Sequence, residues 1–377
     1  MTAVIWIDWY AYHVARFRAL FEHRQLNGRV SGIELVGGCG VHTGMNFRET
    51  ERAGLPIVSL LPESDWQRAS KLHLAQAVWR KLQELRPSTV LVPGYYTIPG
   101  LAAALWARLH GKRAVLMSET IRDDYERVWW KEWTKQLLVR ALFAYGIAGG
   151  RPQVRYLAHL GLSPDRIARF YDVVDNRFFE VGADEARRAP LLRRQLKLPL
   201  NYFLYVGRLA QEKNVRGLLE AFVRYVHAGG TWSLVIVGDG PERQNLEQHC
   251  LTSGIAPRVK FAGLKNAAQI TPYYAFGSCF VLPSIREPWG LVVNEAMASG
   301  LPVLVSERCG CAEDLVETGR NGFLFNPTSF SELADRMLYL GRMSHVTLVR
   351  MGEHSRKIIE RYSPECWAAE VARIVEH

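Results

Sequence analysis

Short apolar runs alternate with longer amphipathic ones along nearly the whole chain, and this restricts its fold more than any other feature. In the first half, "AVIWIDW", "SGIELVG", "PIVSLLP", "TVLVPGY", "RAVLMSE" and "AYGIAGG" have the length and near-continuous hydrophobicity of strands buried on both faces. Between several of them lie helical stretches such as "KLHLAQAVWRKLQELR" and "GLAAALWARLHG". Strands that alternate with helices in this way imply a mostly parallel sheet wrapped by helices.

The stretch 184–201, "DEARRAPLLRRQLKLPLN", interrupts the pattern with charge and two prolines. Beyond it the alternation resumes. "YFLYVGR", "WSLVIVGDG", "RVKFAGL", "CFVLPS" and "LPVLVS" read as strands, with "VRGLLEAFVRYVHAG", "RQNLEQHCLTSG", "NEAMASG" and "SELADRMLYLGRM" as helices. At 377 residues the chain is long for one domain. The expectation is therefore two doubly wound α/β domains in tandem: 1–183, a linker over 184–201, 202–355, and a C-terminal helix within 356–377 that packs back on the first domain. Ligands of such sheets bind beyond the carboxyl ends of the strands.

Six scattered cysteines without a Cys-x-x-Cys pair argue against a disulfide framework or a zinc site. The N-terminus lacks a basic region followed by a long apolar run, and no stretch approaches the ~20 apolar residues of a membrane span. The expected location is cytoplasmic. Residues 1–200 carry 29 Lys/Arg against 19 Asp/Glu, and residues 201–377 carry 18 of each. A basic half beside a neutral one points to one domain working near something anionic, and not to a nucleic-acid-binding protein.

Four segments of the second half carry candidate chemistry. In "REPWGLVVNEAMASG" (286–300), Glu287 precedes a proline and is biased to extended geometry. A helix is expected from Leu291 to Ser299, stopping at Gly300. Its first-turn amides at Gly290 and Leu291 suit a phosphate, and Glu287 and Glu295 would flank the same pocket as acceptors for hydroxyl hydrogens. A strand–turn–helix with two surface acids is the plainer alternative. In "YVGRLAQEKN" (205–214), Arg208 and Lys213 follow a strand that ends at Gly207, and both suit a diphosphate. The alternative is two solvated cations. "VGDGPER" around Gly238 resembles the start of a dinucleotide fingerprint but lacks the third glycine, so it reads more safely as a tight turn. In "CGCAEDLVETGRNGFLFNP" (309–327), Gly310 and Glu313 follow a strand, and Gly319 and Gly322 make the next turn.

In this order, "GRLAQEKN", "VGDGPE", "PSIREPWGLVVNEAMASGLPVLVS", a Gly-x-x-Glu and a Gly-x-x-Gly-Phe-Leu resemble the retaining glycosyltransferases of family 4. The resemblance covers roughly residues 200–330. It implies the GT-B fold, with two Rossmann-like doubly wound domains facing a central cleft. Arg208 and Lys213 match the pair that binds the donor diphosphate. Glu295 matches the acid that holds the ribose, and Glu287 the acid near the donor-sugar hydroxyls. Gly290 and Leu291 match backbone contacts to phosphate or sugar, and Gly207 and Gly238 fall in the same donor-side loops.

The reaction implied is metal-independent transfer of a sugar, with retention, from a nucleoside-diphosphate sugar to a hydroxyl of a glycan or lipid-linked acceptor. The expected setting is bacterial cell-surface polysaccharide or glycolipid synthesis. UDP is the expected nucleotide and GDP the second choice, with no separate cofactor. The sequence has no Asp-x-Asp at a strand end, so protein cations take the place of a metal.

The first half resembles the family less. It has "IDWYAYHVARF" instead of a glycine-rich first loop, and Ser118, Glu119 and Thr120 where a histidine is common. Asp8, Glu119 and Asp123 are the acceptor-side candidates, with a purely structural role for each as the alternative. The adjacent Asp123 and Asp124 are expected to begin the following helix.

The stretch 125–142, "YERVWWKEWTKQLLVRAL", reads as an amphipathic helix. Trp129, Trp130, Trp133 and Leu137 group on one side, and Lys131, Lys135 and Arg140 surround them. That pattern suits an anionic membrane surface on the inner face of the cytoplasmic membrane, while a core helix with packing tryptophans is the alternative. Rival functions are a glycosidase, a GT-B epimerase or phosphorylase, and a non-catalytic sugar-nucleotide-binding partner. An NAD enzyme is disfavoured by the incomplete fingerprint.

Overall fold

The structure is a computed structural model describing residues 1–37, 52–124 and 127–376. Among the described residues the strands form two sheets in which every pairing is parallel. The first sheet comprises β1 (Thr2–Trp6), β2 (Val30–Val36), β3 (Ile57–Leu61), β4 (Thr89–Pro93), β5 (Arg113–Ser118), β6 (Tyr145–Ala148) and β7 (Ile167–Ala168), in the order β3-β2-β1-β4-β5-β6-β7. The second comprises β8 (Tyr202–Val206), β9 (Ser233–Val237), β10 (Val259–Gly263), β11 (Cys279–Leu282), β12 (Val303–Ser306) and β13 (Gly322–Phe325), in the order β10-β9-β8-β11-β12-β13. Each order reverses once, between β1 and β4 in the first sheet and between β8 and β11 in the second. At these points neighbouring crossovers leave in opposite directions and open a crevice beyond the strand ends.

The chain divides into two compact units, Met1–Val174 with Tyr362–His377, and Asp175–Arg361. In the first, Ile5, Ile33, Val92 and Leu116 of the strands pack with Leu74, Val78 and Leu82, which line one face of the helix Lys71–Leu85 at i, i+4, i+8 spacing. The last helix, Pro364–Glu376, lies against the helix Ala11–Glu22. The Arg113 guanidinium at the start of β5 donates to the carbonyls of Ile374 (3.1 Å) and Val375 (2.6 Å). These are the orphan carbonyls of a helix end, which a cation satisfies well.

The observed division falls at Val174–Asp175, earlier than the 183–184 boundary read from the sequence, and again at Arg361–Tyr362. Asp184, Arg187 and Arg193 of 184–201 are bonded partners within the second unit. The helix Asn176–Arg188 opens on an Asp175 cap, whose carboxylate accepts from the Phe178 N–H at 3.0 Å. Arg187 donates to the Ala275 carbonyl (3.1 Å) and the Ser299 carbonyl (2.6 Å), and Asp184 pairs with Arg356 at 2.6 Å. A short helix, Pro190–Gln195, follows.

This division changes the charge argument. The first unit holds 24 Lys/Arg and 18 Asp/Glu, the second 23 and 19, so the positive excess is shared between them. Gly322, expected in a turn, is the first residue of β13. A Cβ there would lie 1.9 Å from the Val303 carbonyl oxygen, so glycine allows the edge strand to close on β12.

Candidate active site

The site is built from the loops that leave the carboxyl ends of β8, β9, β11 and β12. Leaving β8, Tyr205 is fully buried, and its hydroxyl donates to the Arg208 carbonyl at 2.9 Å. That bond fixes the turn carrying Arg208 while the guanidinium, half exposed, pairs with Glu212. The turn is backed by "VGDGPE". The N–H of Gly207 donates to the Val237 carbonyl (3.0 Å), that of Leu209 to the Asp239 carbonyl (2.9 Å), and that of Glu242 to the Leu209 carbonyl (3.0 Å). Gly238 has φ +135°, and a Cβ on it would stand 1.9 Å from the Gly207 carbonyl oxygen. The glycine pair Gly207 and Gly238 thus lets two loop backbones touch.

The 3-10 turn Gln211–Lys213 ends at Asn214, a non-glycine residue in the left-handed region (φ 53°). Its side-chain amide donates to the Pro283 carbonyl (3.1 Å) and the Pro327 carbonyl (2.9 Å). The Glu212 carbonyl accepts the Ile285 N–H at 2.9 Å. Three loops, after β8, β11 and β13, are therefore fastened together.

This fastening delivers Lys213 to Glu287. The ammonium and carboxylate are bonded directly, and Ser284 Oγ donates to the same Glu287 oxygen at 3.1 Å. Glu287 is 8% exposed, and its carbonyl accepts the Gly310 N–H at 2.9 Å, tying in the loop after β12. Burial of this acid is tolerable because a cation and a hydroxyl satisfy it. Gly290 sits at φ +106°, ψ 61°, as cap of the helix Leu291–Ala298. The helix ends at Ala298, one residue short of the expected bound, with Ser299 as cap and a Schellman arrangement in which Gly300 N–H reaches Met297 O (2.9 Å) and Leu301 N–H reaches Ala296 O (3.0 Å).

Glu295, one turn in, is 3% exposed and accepts from the Tyr274 hydroxyl at 2.6 Å. Both acids are thus interior side chains with assigned partners, which removes the reading of two surface acids. Lys213 and Glu287 are brought into contact, Arg208 stands on the same turn as Lys213, and Gly290 and Leu291 follow Glu287 at the next helix start. Glu295 is gripped from the side of Tyr274. Sequence reasoning missed Tyr205, Asn214, Ser284 and Tyr274. Asn214 carried one signal, since an asparagine closing a loop before a helix is the residue that most readily adopts left-handed geometry.

The acceptor-side candidates stand on the first unit. Asp8 follows β1 and accepts from the Tyr10 hydroxyl. Burial, then Asp8, raises the Tyr10 phenol above its ordinary value. Glu119 follows β5 and is exposed; the fully buried carboxyl of Asp172 is held well above the usual carboxylate range by desolvation first and by the charge of Glu119 second. Asp123 lies exposed in the 3-10 turn Arg122–Asp124 and does not begin the next helix. The Asp124 carboxylate closes that turn on the Ile121 N–H (2.9 Å), Arg127 bonds back to the Arg122 carbonyl (2.8 Å), and the helix starts only at Trp129. Tyr125 and Glu126, at the start of the expected helix, lie outside the described residues, as does Cys39.

The two parallel α/β sheets place the fold in the GT-B class, and residues 191–361 match the family described as glycosyl transferases group 1. The curated relatives include an alpha-D-kanosaminyltransferase of Streptomyces kanamyceticus, 30% identical over 237 residues, which are 62% of this chain and 60% of that protein. Another is an alpha-monoglucosyldiacylglycerol synthase of Acholeplasma laidlawii, 29% identical over 167 residues, 44% of this chain and 40% of that protein. The chain thus spans less than two thirds of the length of these relatives. Among solved structures, Anabaena HepE in complex with UDP superposes over the whole of both chains with a TM-score of 0.77 at 19% identity.

Proposed function

We propose that the protein is a retaining, metal-independent glycosyltransferase that moves a sugar from a nucleoside diphosphate, UDP first, to a hydroxyl of a glycan or lipid-linked acceptor. The proposal places it in bacterial cell-surface polysaccharide or glycolipid synthesis. The observation that carries it is the joining of Arg208, Lys213 and the Gly290 helix start at the one point where the strand order of the second sheet reverses. The match of 191–361 and the UDP bound to HepE support the same reading.

The chemistry follows from where charge develops. As the bond from the anomeric carbon to the leaving diphosphate breaks, negative charge builds on the phosphate. Arg208, Lys213 and the amides of Gly290 and Leu291 are the donors that meet it. Arrival of the diphosphate draws Lys213 away from Glu287. The carboxylate, still held by Ser284, then accepts donor-sugar hydroxyls. Glu295, oriented by Tyr274, takes the ribose hydroxyls, and Gly207 and Gly238 keep the cationic turn close to the pyrophosphate. The acceptor hydroxyl attacks from the face the phosphate leaves and gives its proton to a departing phosphate oxygen, so the configuration is kept without a protein nucleophile. Asp8, Glu119 and Asp123 orient the acceptor. The segment 125–142 makes a peripheral contact with an anionic membrane surface on the cytoplasmic side.

A thermal-shift panel of UDP, GDP, ADP and their sugars tests this. The cognate nucleotide at 100 times its dissociation constant adds about 2.7 kcal/mol of stability. Absence of any shift across the panel, or a shift that survives Arg208→Ala and Lys213→Ala together, ends the proposal.

A further inference from the structure

The helix Trp129–Leu142 presents an apolar face to solvent. Trp129 is 81% exposed, Trp133 58% and Trp130 50%. Three tryptophans this open within five residues are rare on a water-facing surface, since Trp is among the residues buried most on average. The opposite face explains why they point outward. Glu132 and Val139 are the buried residues of the helix. Glu132, the helix's one acid, accepts from the Tyr156 hydroxyl (3.0 Å) and Lys135 (2.6 Å), with Arg127 at 3.7 Å. That network fixes the rotation of the helix about its axis.

Burying Glu132 also leaves the solvent side of the helix with cations only. Lys131 and Arg140 are exposed, and the Lys131 ammonium lies 5.4 Å from the Trp130 ring centroid. Among the described residues no acid pairs with Lys131 or Arg140, and bulky amphipathic rings beside such cations match the chemistry of an anionic lipid interface. A second copy of the same face would set like charges against each other.

The position of the face along the helix adds a constraint. The helix joins β5 to β6, which run parallel, so its first turns stand at the carboxyl edge of the sheet. Trp129, Trp130 and Trp133 occupy those turns, and Glu119 leaves β5 at the same edge.

We infer that Trp129, Trp130 and Trp133, with Lys131 and Arg140, form a docking face for anionic phospholipid that holds the carboxyl edge of the first sheet at headgroup depth. This deepens the membrane contact in the reading above and rests on it only for the acceptor's location. The docking itself is independent of the donor site.

The test is co-sedimentation of the full chain with vesicles of equal phosphatidylglycerol and phosphatidylcholine, and with phosphatidylcholine alone, at low salt. The wild type is expected to pellet with the anionic vesicles. The combination Trp129→Ser, Trp130→Ser and Trp133→Ser should lower the partition coefficient at least tenfold, and Lys131→Glu with Arg140→Glu should lower it on anionic vesicles only. Circular dichroism and UDP calorimetry on each variant verify the fold and the second unit. Wild type that stays in the supernatant, or a triple Ser variant that pellets equally, overturns the inference. So does a dimer in light scattering that the triple variant converts to monomer. Arg208→Ala should lose UDP while still pelleting, so failure of the donor reading and failure of the docking face are separately visible.

Discussion

The two sheets reverse their strand order in the same way, yet the loops at the two reversals are chemically opposite. After β1 and β4 the chain reads Ile7-Asp8-Trp9-Tyr10 and Gly94-Tyr95-Tyr96-Thr97, aromatic and hydroxylated, with no cation. After β8 and β11 it reads "GRLAQEKN" and "PSIREPWG", with Arg208, Lys213 and Arg286 among glycines. Topology supplies a crevice in both places. Only the second is furnished for an anion. The first suits neutral rings and hydroxyls, as an acceptor site would. Fold alone therefore assigns neither role, and the proposed division between donor and acceptor rests on the side chains at the two reversals.

The sharpest way to break this comparison is to treat the two reversals alike. Arg208→Ala should cut sugar transfer by about 100- to 1000-fold, the loss typical of one preorganised donor. Glu119→Gln should leave UDP affinity within about twofold, because it removes no cation and no donor to a diphosphate. Steady-state kinetics and UDP calorimetry check both, and equal loss of UDP binding in the two variants would dissolve the distinction.

Next in size is Gly238→Ala, where a methyl would enter the Gly207 carbonyl at positive φ. It should cost about 2–3 kcal/mol in urea unfolding. In the first unit the baseline is Gly111→Ala, a site with open space around it, where the positive φ alone costs about 1 kcal/mol.

Lys213→Ala strands the buried Glu287 carboxylate and should destabilise by about 2 kcal/mol. Adding Glu287→Gln should recover most of that stability without restoring transfer. Recovery of both would make the pair a structural device only.

The smallest effect belongs to the first unit. Asp172 has its folded pKa raised by burial and by Glu119, so over the window from about 4, its unfolded value, up to its folded value, the native chain binds more protons than the unfolded one. Its stabilising contribution is whole below that window and declines as pH rises through it. Thermal midpoints recorded from pH 4 to 8 should fall less steeply for Asp172→Asn than for wild type.

Much of this was legible beforehand, for identifiable reasons. Strands such as Tyr202–Val206 and Val303–Ser306 are continuous apolar runs, and the spacing of Glu287, Gly290 and Glu295 survives reading because it is local. The two-residue β7 has too few residues to show a period, and β13 opens on a glycine that reads as a turn. The charge-rich end of the helix Asn176–Arg188 reads as a break because Arg187 finds its partners far away in sequence, at Ala275 and Ser299. Tyr274 on Glu295 and Asn214 on Pro283 and Pro327 are likewise long-range contacts, invisible to any window of the chain. The membrane proposal for 125–142 comes from its tryptophan and lysine pattern, with the basic first 200 residues as added support. Because the excess is shared between the units, that support falls away, and the proposal rests on the exposed tryptophans and the cations beside them.

The double grip of Asn214 has a practical corollary for anyone re-engineering this protein. Because one amide clasps two prolyl carbonyls, the three segments it joins behave as a single exchangeable cassette. Chimeras that transplant the arginine-lysine turn without its two companions should arrive with the cations misdirected, however faithful the copied stretch.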